Sequence, residues 1–202
     1  IPLRLVGSEM CIRDRSRIAI MADTVKQYRE VVDSCRELFL RKLGDYSPSW
    51  RILRLTSVTD QILNKAKRIR QIGESGVALV NEGVEPEFVG LVNYSIIGLI
   101  QLELGPTLEP DLTNEEAMAL YDKYAKEAFE LMKKKNHDYD EAWRGMRISS
   151  MTDLILVKLY RVKQIEDHKG KTDVSEGIAS NYFDIINYAV FSLIKLRYEP
   201  KA

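Results

Sequence analysis

Apolar residues recur at helical spacing through most of the chain. Between 23 and 42 they fall at Tyr28, Val31, Val32, Cys35, Leu38 and Phe39, and between 114 and 135 at Tyr121, Tyr124, Ala125, Ala128, Leu131 and Met132. Steps of three and four place each set on one face of a helix. The same pattern predicts helices over about 57–74 and 86–104, and again over about 150–168 and 174–198. β-Branched residues occur, but not in alternating runs bounded by turn residues, so strands are not predicted. Thr113 and Glu116 have the spacing of a capping box, and Pro86 suits a first helical turn. Residues 106–112, with Pro106 and Pro110, read as a linker. The expected fold is all-α, with six main helices.

These helices come in two sets. Shifted by 93 places, 28–72 aligns with 121–165, and 18 of those 45 positions are identical. Asp45, Tyr46, Trp50 and Arg51 in KLGDYSPSWRIL (42–53) face Asp138, Tyr139, Trp143 and Arg144 in KNHDYDEAWRGM (135–146). Asp60, Lys65 and Arg68 face Asp153, Lys158 and Arg161; after one inserted residue, Asn93 and Tyr94 face Asn187 and Tyr188. The period is too long for a solenoid unit and reads as a duplicated small domain. Neither half alone buries much apolar surface, so the halves are expected to pack as two three-helix units in a pseudo-dimeric bundle, with copies at 21–105 and 113–202.

Residues 1–20 stand apart. They show neither period and read as translated adaptor sequence, with the natural start at Met21 and a basic N-terminal arm as the alternative. Without them the formal charge moves from zero to −2, because four arginines there outnumber Glu9 and Asp14 by two. A chain near neutrality has no global attraction for polyanions, so duplex nucleic acid is not an expected partner. No apolar run reaches the roughly 20 residues of a membrane span. Cys11 and Cys35 lack metal-type spacing; a reducing cytoplasm, with Cys35 in helix packing, is expected.

Candidate chemistry concentrates in the second half. On a helical wheel Asp153, Gln164, Arg161 and Lys158 fall at about 0°, 20°, 80° and 140°, along one edge of the apolar face. Two readings stand. These cations could cover apolar surface and pair with acids across the bundle, or Lys158 and Arg161, with Arg144 and Arg147, could hold phosphate oxygens. Asp184 and Asn187, one turn apart, and Asp153 are candidate ligands for a hard cation such as Mg²⁺. Gly90 stands opposite Asp184, and Ser47-Pro48-Ser49 opposite Asp140-Glu141-Ala142, so acids are depleted in the first copy. Glu127-x-x-Glu130 reads as a solvated face and His137 as a turn residue. Glycine-rich phosphate loops, zinc spacings and nucleophile elbows are absent from the sequence.

The blocks KNHDYDEAWRGM, MTDLILVKLYRVKQI and FDIINYAVFSL resemble the nucleotide modification associated domain family, in both copies and over nearly all of 25–198. The Lys-Asn-x-Asp-Tyr-x-x-Ala-Trp pattern of that family maps onto Lys135, Asn136, Asp138, Tyr139, Ala142 and Trp143. Its other two patterns map onto Asp153, Lys158 and Arg161, and onto Asp184, Asn187 and Tyr188. Asp140 stands where a Gly is usual. More distantly the chain is similar to MazG-like all-α nucleotide pyrophosphohydrolases, although their Glu-x-x-Glu element is missing after Trp143 and Asp184-x-x-Asn187 matches their second element only in part. The resemblance implies a helical nucleotide-binding protein engaged in nucleotide or base modification, with Mg²⁺-dependent release of pyrophosphate from a nucleoside triphosphate as its most specific form. Asp138, Tyr139, Trp143 and Tyr188 would be its framework. A noncatalytic helical binding or interaction protein is the alternative, and homo-oligomerisation is open.

Overall fold

The computed structural model describes residues 6–76, 83–171 and 176–199, with side chains from 23 onward. Six helices follow one another: α1 (Val6–Tyr46), α2 (Leu55–Ser75), α3 (Glu85–Leu104), α4 (Asn114–Tyr139), α5 (Ile148–Asp167) and α6 (Ile178–Tyr198). No strand occurs among the described residues. The all-α prediction therefore holds, and two short 3-10 turns, Ser49–Ile52 and Ala142–Gly145, add the elements that carry the repeated Trp-Arg pairs. Helix α1 starts well before 23, and the predicted start of α6 at 174 lies outside the described residues.

Local chemistry explains several ends. The Thr113 hydroxyl accepts from the Glu116 amide at 3.2 Å while the Glu116 carboxylate accepts from the Thr113 amide at 2.8 Å, closing the capping box that starts α4. At the other end of α4, Asp140 has φ 49°, and its counterpart Ser47 after α1 has φ 53°. Both helices thus stop on a left-handed residue, the conformation that a glycine at Asp140 would adopt without strain.

Helices α2, α3, α5 and α6 form a ring of four, with α3 against α6 and α2 against α5 across the halves; α1 and α4 pair over α3 and α6. Gly98 permits the close approach of α3 and α6, since a Cβ there would stand 2.9 Å from Tyr182 Cζ. The two units are interlocked rather than apposed. Tyr28 on α1 donates to Asn187 Oδ1 on α6 at 2.7 Å, and Tyr121 on α4 donates to Asn93 Oδ1 on α3 at 2.9 Å. Each hydroxyl satisfies a buried amide of the opposite copy, which makes the halves depend on each other. Helix α3 is long and apolar enough to cross a membrane by composition, but 72% of that window is buried inside the bundle. Cys35 is packed between helices, and burial pushes its thiol up to about 12.

One buried polar cluster has a pH signature. Thr59 on α2 lies 2.6 Å from Glu166 on α5 and 2.7 Å from the Tyr182 hydroxyl on α6. Burial raises the Glu166 carboxyl above its ordinary range, and the bond from Thr59 offsets only part of that rise. A raised folded-state value favours the protonated form in the native protein, so this stabilisation is present below the unfolded value of about 4.3 and lost as pH rises through the folded one. Glu166→Gln keeps an acceptor for Thr59 and removes the charge. The variant is expected to be more stable than wild type at pH 7.5, with the difference shrinking toward pH 4, when urea midpoints are measured across that range. A difference that does not vary with pH would contradict the assignment.

Candidate functional site

The second-half motif builds the wall of a cavity of about 490 Å³. Its residues come from the end of α4 (Lys135, Asn136, Tyr139), the 3-10 turn (Ala142, Trp143), α5 (Lys158) and α6 (Asp184, Asn187, Tyr188, Phe191). The helix ends converge here because the left-handed residues Asp140 and Glu141 turn the chain back from α4 toward α5. Trp143 is stacked on Phe191 with ring centroids 4.3 Å apart, fixing one aromatic face. Tyr139 is largely exposed and Tyr188 half-buried.

The charged centre is Asp184, only 7% exposed. Lys158 Nζ lies 2.6 Å from its Oδ2, and Lys135 Nζ donates to its Oδ1. One buried carboxylate thus faces two ammonium groups, and the three charges sum to one positive. Asn187 offers its oxygen to Tyr28, and its Nδ2, like Trp143 Nε1, is buried without an acceptor. The amide end that remains is a donor, which suits an acceptor atom on a ligand better than a cation.

Other sequence candidates lie elsewhere. Asp153 is on the outer face of α5, its side chain 60% exposed and 3.8 Å from Arg70, so it does not join Asp184. Arg161 and Arg147 are exposed and outside the cavity wall. Arg144 lies 4.4 Å over the Trp143 ring, bonds Glu141 at 2.8 Å and Gln27 at 3.0 Å, and donates to Thr24. It ties the 3-10 turn to α1. Asp138 is exposed beside His137, and Glu130 pairs with Lys133 on the surface. Among the described residues no group of three or more His, Cys, Asp or Glu could hold a metal. Both Asp184 oxygens face lysine ammonium groups, and the Asn187 oxygen accepts from Tyr28.

Two further residues matter: Lys135, which the sequence places in the family pattern without assigning it a role, and Glu87, which sequence reasoning missed. Lys135 completes the ion pair, and its identity with Lys42 in the other copy was the available signal. Glu87, 5% exposed on α3, receives Lys65 at 3.2 Å and also Arg68. Its partner position is Asn181, so the first copy carries its buried acid one turn earlier than the second. The first half is not without an internal acid; it holds its lysine differently.

Among known families, the model of nucleotide modification associated domain 1 matches residues 42–102 and again 135–196, each match starting at the equivalent lysine. Together these segments span more than half of the chain, which belongs to that family as two tandem copies. No curated protein and no solved structure matches it.

Proposed function

We propose that this two-copy member of the nucleotide modification associated domain 1 family binds a nucleotide in the second-half cavity as part of nucleotide or base modification. The supporting observation is the pairing of Lys135 and Lys158 on Asp184 inside a wall of Trp143, Tyr139, Tyr188 and Phe191. The rings of Tyr139 and Tyr188 are open to the face of a base, since Trp143 is covered by Phe191 and Arg144, and buried N–H groups without acceptors pair with its ring nitrogens or carbonyl oxygens. The phosphates lie toward Lys135, whose side chain is 46% exposed.

The charge balance favours binding over metal-assisted hydrolysis. Both Asp184 oxygens face ammonium groups, and pyrophosphate release of the kind implied by the more distant resemblance would require the carboxylate to exchange those partners for a cation. The binding reading requires no such exchange. Calorimetry with nucleosides, nucleoside monophosphates and triphosphates, with and without Mg²⁺, tests it. Saturable binding without Mg²⁺, together with no pyrophosphate release, is the expected result. Failure of every ligand to bind would end the nucleotide assignment, while binding that appears only with Mg²⁺ would restore the metal reading.

A further inference from the structure

We propose that the first-half cavity is a second binding site, for a small aromatic anion carrying one phosphate or carboxylate group. It measures about 330 Å³, within the size range of small-molecule sites. Six of its residues (Lys42, Tyr46, Trp50, Lys65, Asn93 and Tyr94) are identical to the residues at the matching positions of the second-half cavity. The first copy carries this constellation with Gly90 at the position of Asp184.

That exchange changes the ligand. A Cβ at Gly90 would stand 2.7 Å from Lys65 Cδ, so the lysine stem runs across the space the acid would fill. The Lys65 ammonium is drawn instead to Glu87, which Arg68 also contacts; the three charges sum to one positive. Lys42 adds a second positive charge at the exposed rim. No carboxylate is found among the described residues of the wall, whereas the second cavity has Asp184 and Glu176; Glu82, which matches Glu176, lies outside the described residues. Trp50 is 8% exposed, and its Nε1 has no acceptor, a buried donor that a ligand oxygen or ring nitrogen would satisfy. The smaller and more positive cavity suits one anionic group on a flat apolar body.

Trp50 and Trp143 are the only tryptophans in the chain, so each reports on one cavity. In Trp143→Phe protein, uridine monophosphate and benzoate are titrated separately while Trp50 emission is followed, which distinguishes a phosphate from a carboxylate ligand. A saturable change with either probe is expected. Adding Gly90→Asp restores the acid beside Lys65 and should weaken binding roughly tenfold or more, because like charges meet. Lys42→Ala, on an exposed side chain, should weaken it as well and serves where Gly90→Asp fails to fold. Flat Trp50 emission to millimolar concentrations of both probes, or an affinity unchanged in both variants, would overturn the proposal. Trp50→Phe protein, read through Trp143, tests the second-half nucleotide site separately.

Discussion

Arg51→Ala is expected to destabilise the protein by about 2–4 kcal/mol, whereas Arg144→Ala, its exact counterpart in the repeat, should cost about 1–2 kcal/mol. The two arginines share a motif and differ in surroundings. Arg51 is 1% exposed, donates to Asp111 at 2.7 Å and to the Gly105 carbonyl at 2.8 Å, and also bonds Gln101. Gln101, itself 2% exposed, passes the network on to the Arg51 carbonyl at 3.0 Å. Truncating Arg51 leaves a buried amide oxygen and a backbone carbonyl without their donor and removes the ion pair to Asp111, while the Thr107 amide keeps its 3.1 Å bond to the Arg51 carbonyl. Arg144 is 26% exposed, and the acid it holds, Glu141, retains the Thr24 hydroxyl at 2.5 Å and the Asn136 amide at 3.3 Å. For a chain of this length the larger loss corresponds to a melting point lower by roughly 4–16 °C. Scanning calorimetry of the two variants checks the order; equal losses would mean that the shared motif, not the partners, sets the energetics.

The same pair shows what was legible beforehand. Internal identity revealed two equivalent helix sets, and helical spacing revealed their apolar faces, because both are local properties of the sequence. Partners were not legible. Arg51 is held by Asp111 from the linker, and Arg144 by Thr24 and Gln27 near the middle of α1, none of which lies inside the aligned blocks. The Tyr28–Asn187 and Tyr121–Asn93 bonds each join a residue of one copy to the other copy, so neither follows from a single unit. The wheel put Asp153 and Arg161 beside Lys158, but α2 packs against α5 and leaves the first two outside. Position-by-position comparison showed Gly90 opposite Asp184 and missed Glu87, because the acid had moved by one turn rather than disappeared.

Asp184→Asn is expected to tighten binding of a nucleoside triphosphate roughly tenfold in the absence of Mg²⁺, while Lys158→Ala weakens it by tenfold or more. In wild type, Asp184 occupies two ammonium groups that a phosphate would otherwise recruit. An amide has nearly the same shape and leaves the lysines their positive charge without a counter-ion, which costs the free protein about 1–3 kcal/mol and gives that energy back when an anion arrives. Lys158, with only 17% of its side chain exposed, is the better fixed of the two donors, so its removal leaves the phosphate with Lys135 alone. A cation site at Asp184 requires the reverse order, since an amide is a poorer ligand for Mg²⁺ than a carboxylate. Calorimetric Kd values for wild type and both variants, each with and without Mg²⁺, therefore separate the two chemistries: loss of affinity in Asp184→Asn that is seen only with Mg²⁺ would assign the carboxylate to a metal, and a gain without Mg²⁺ assigns it to the lysines.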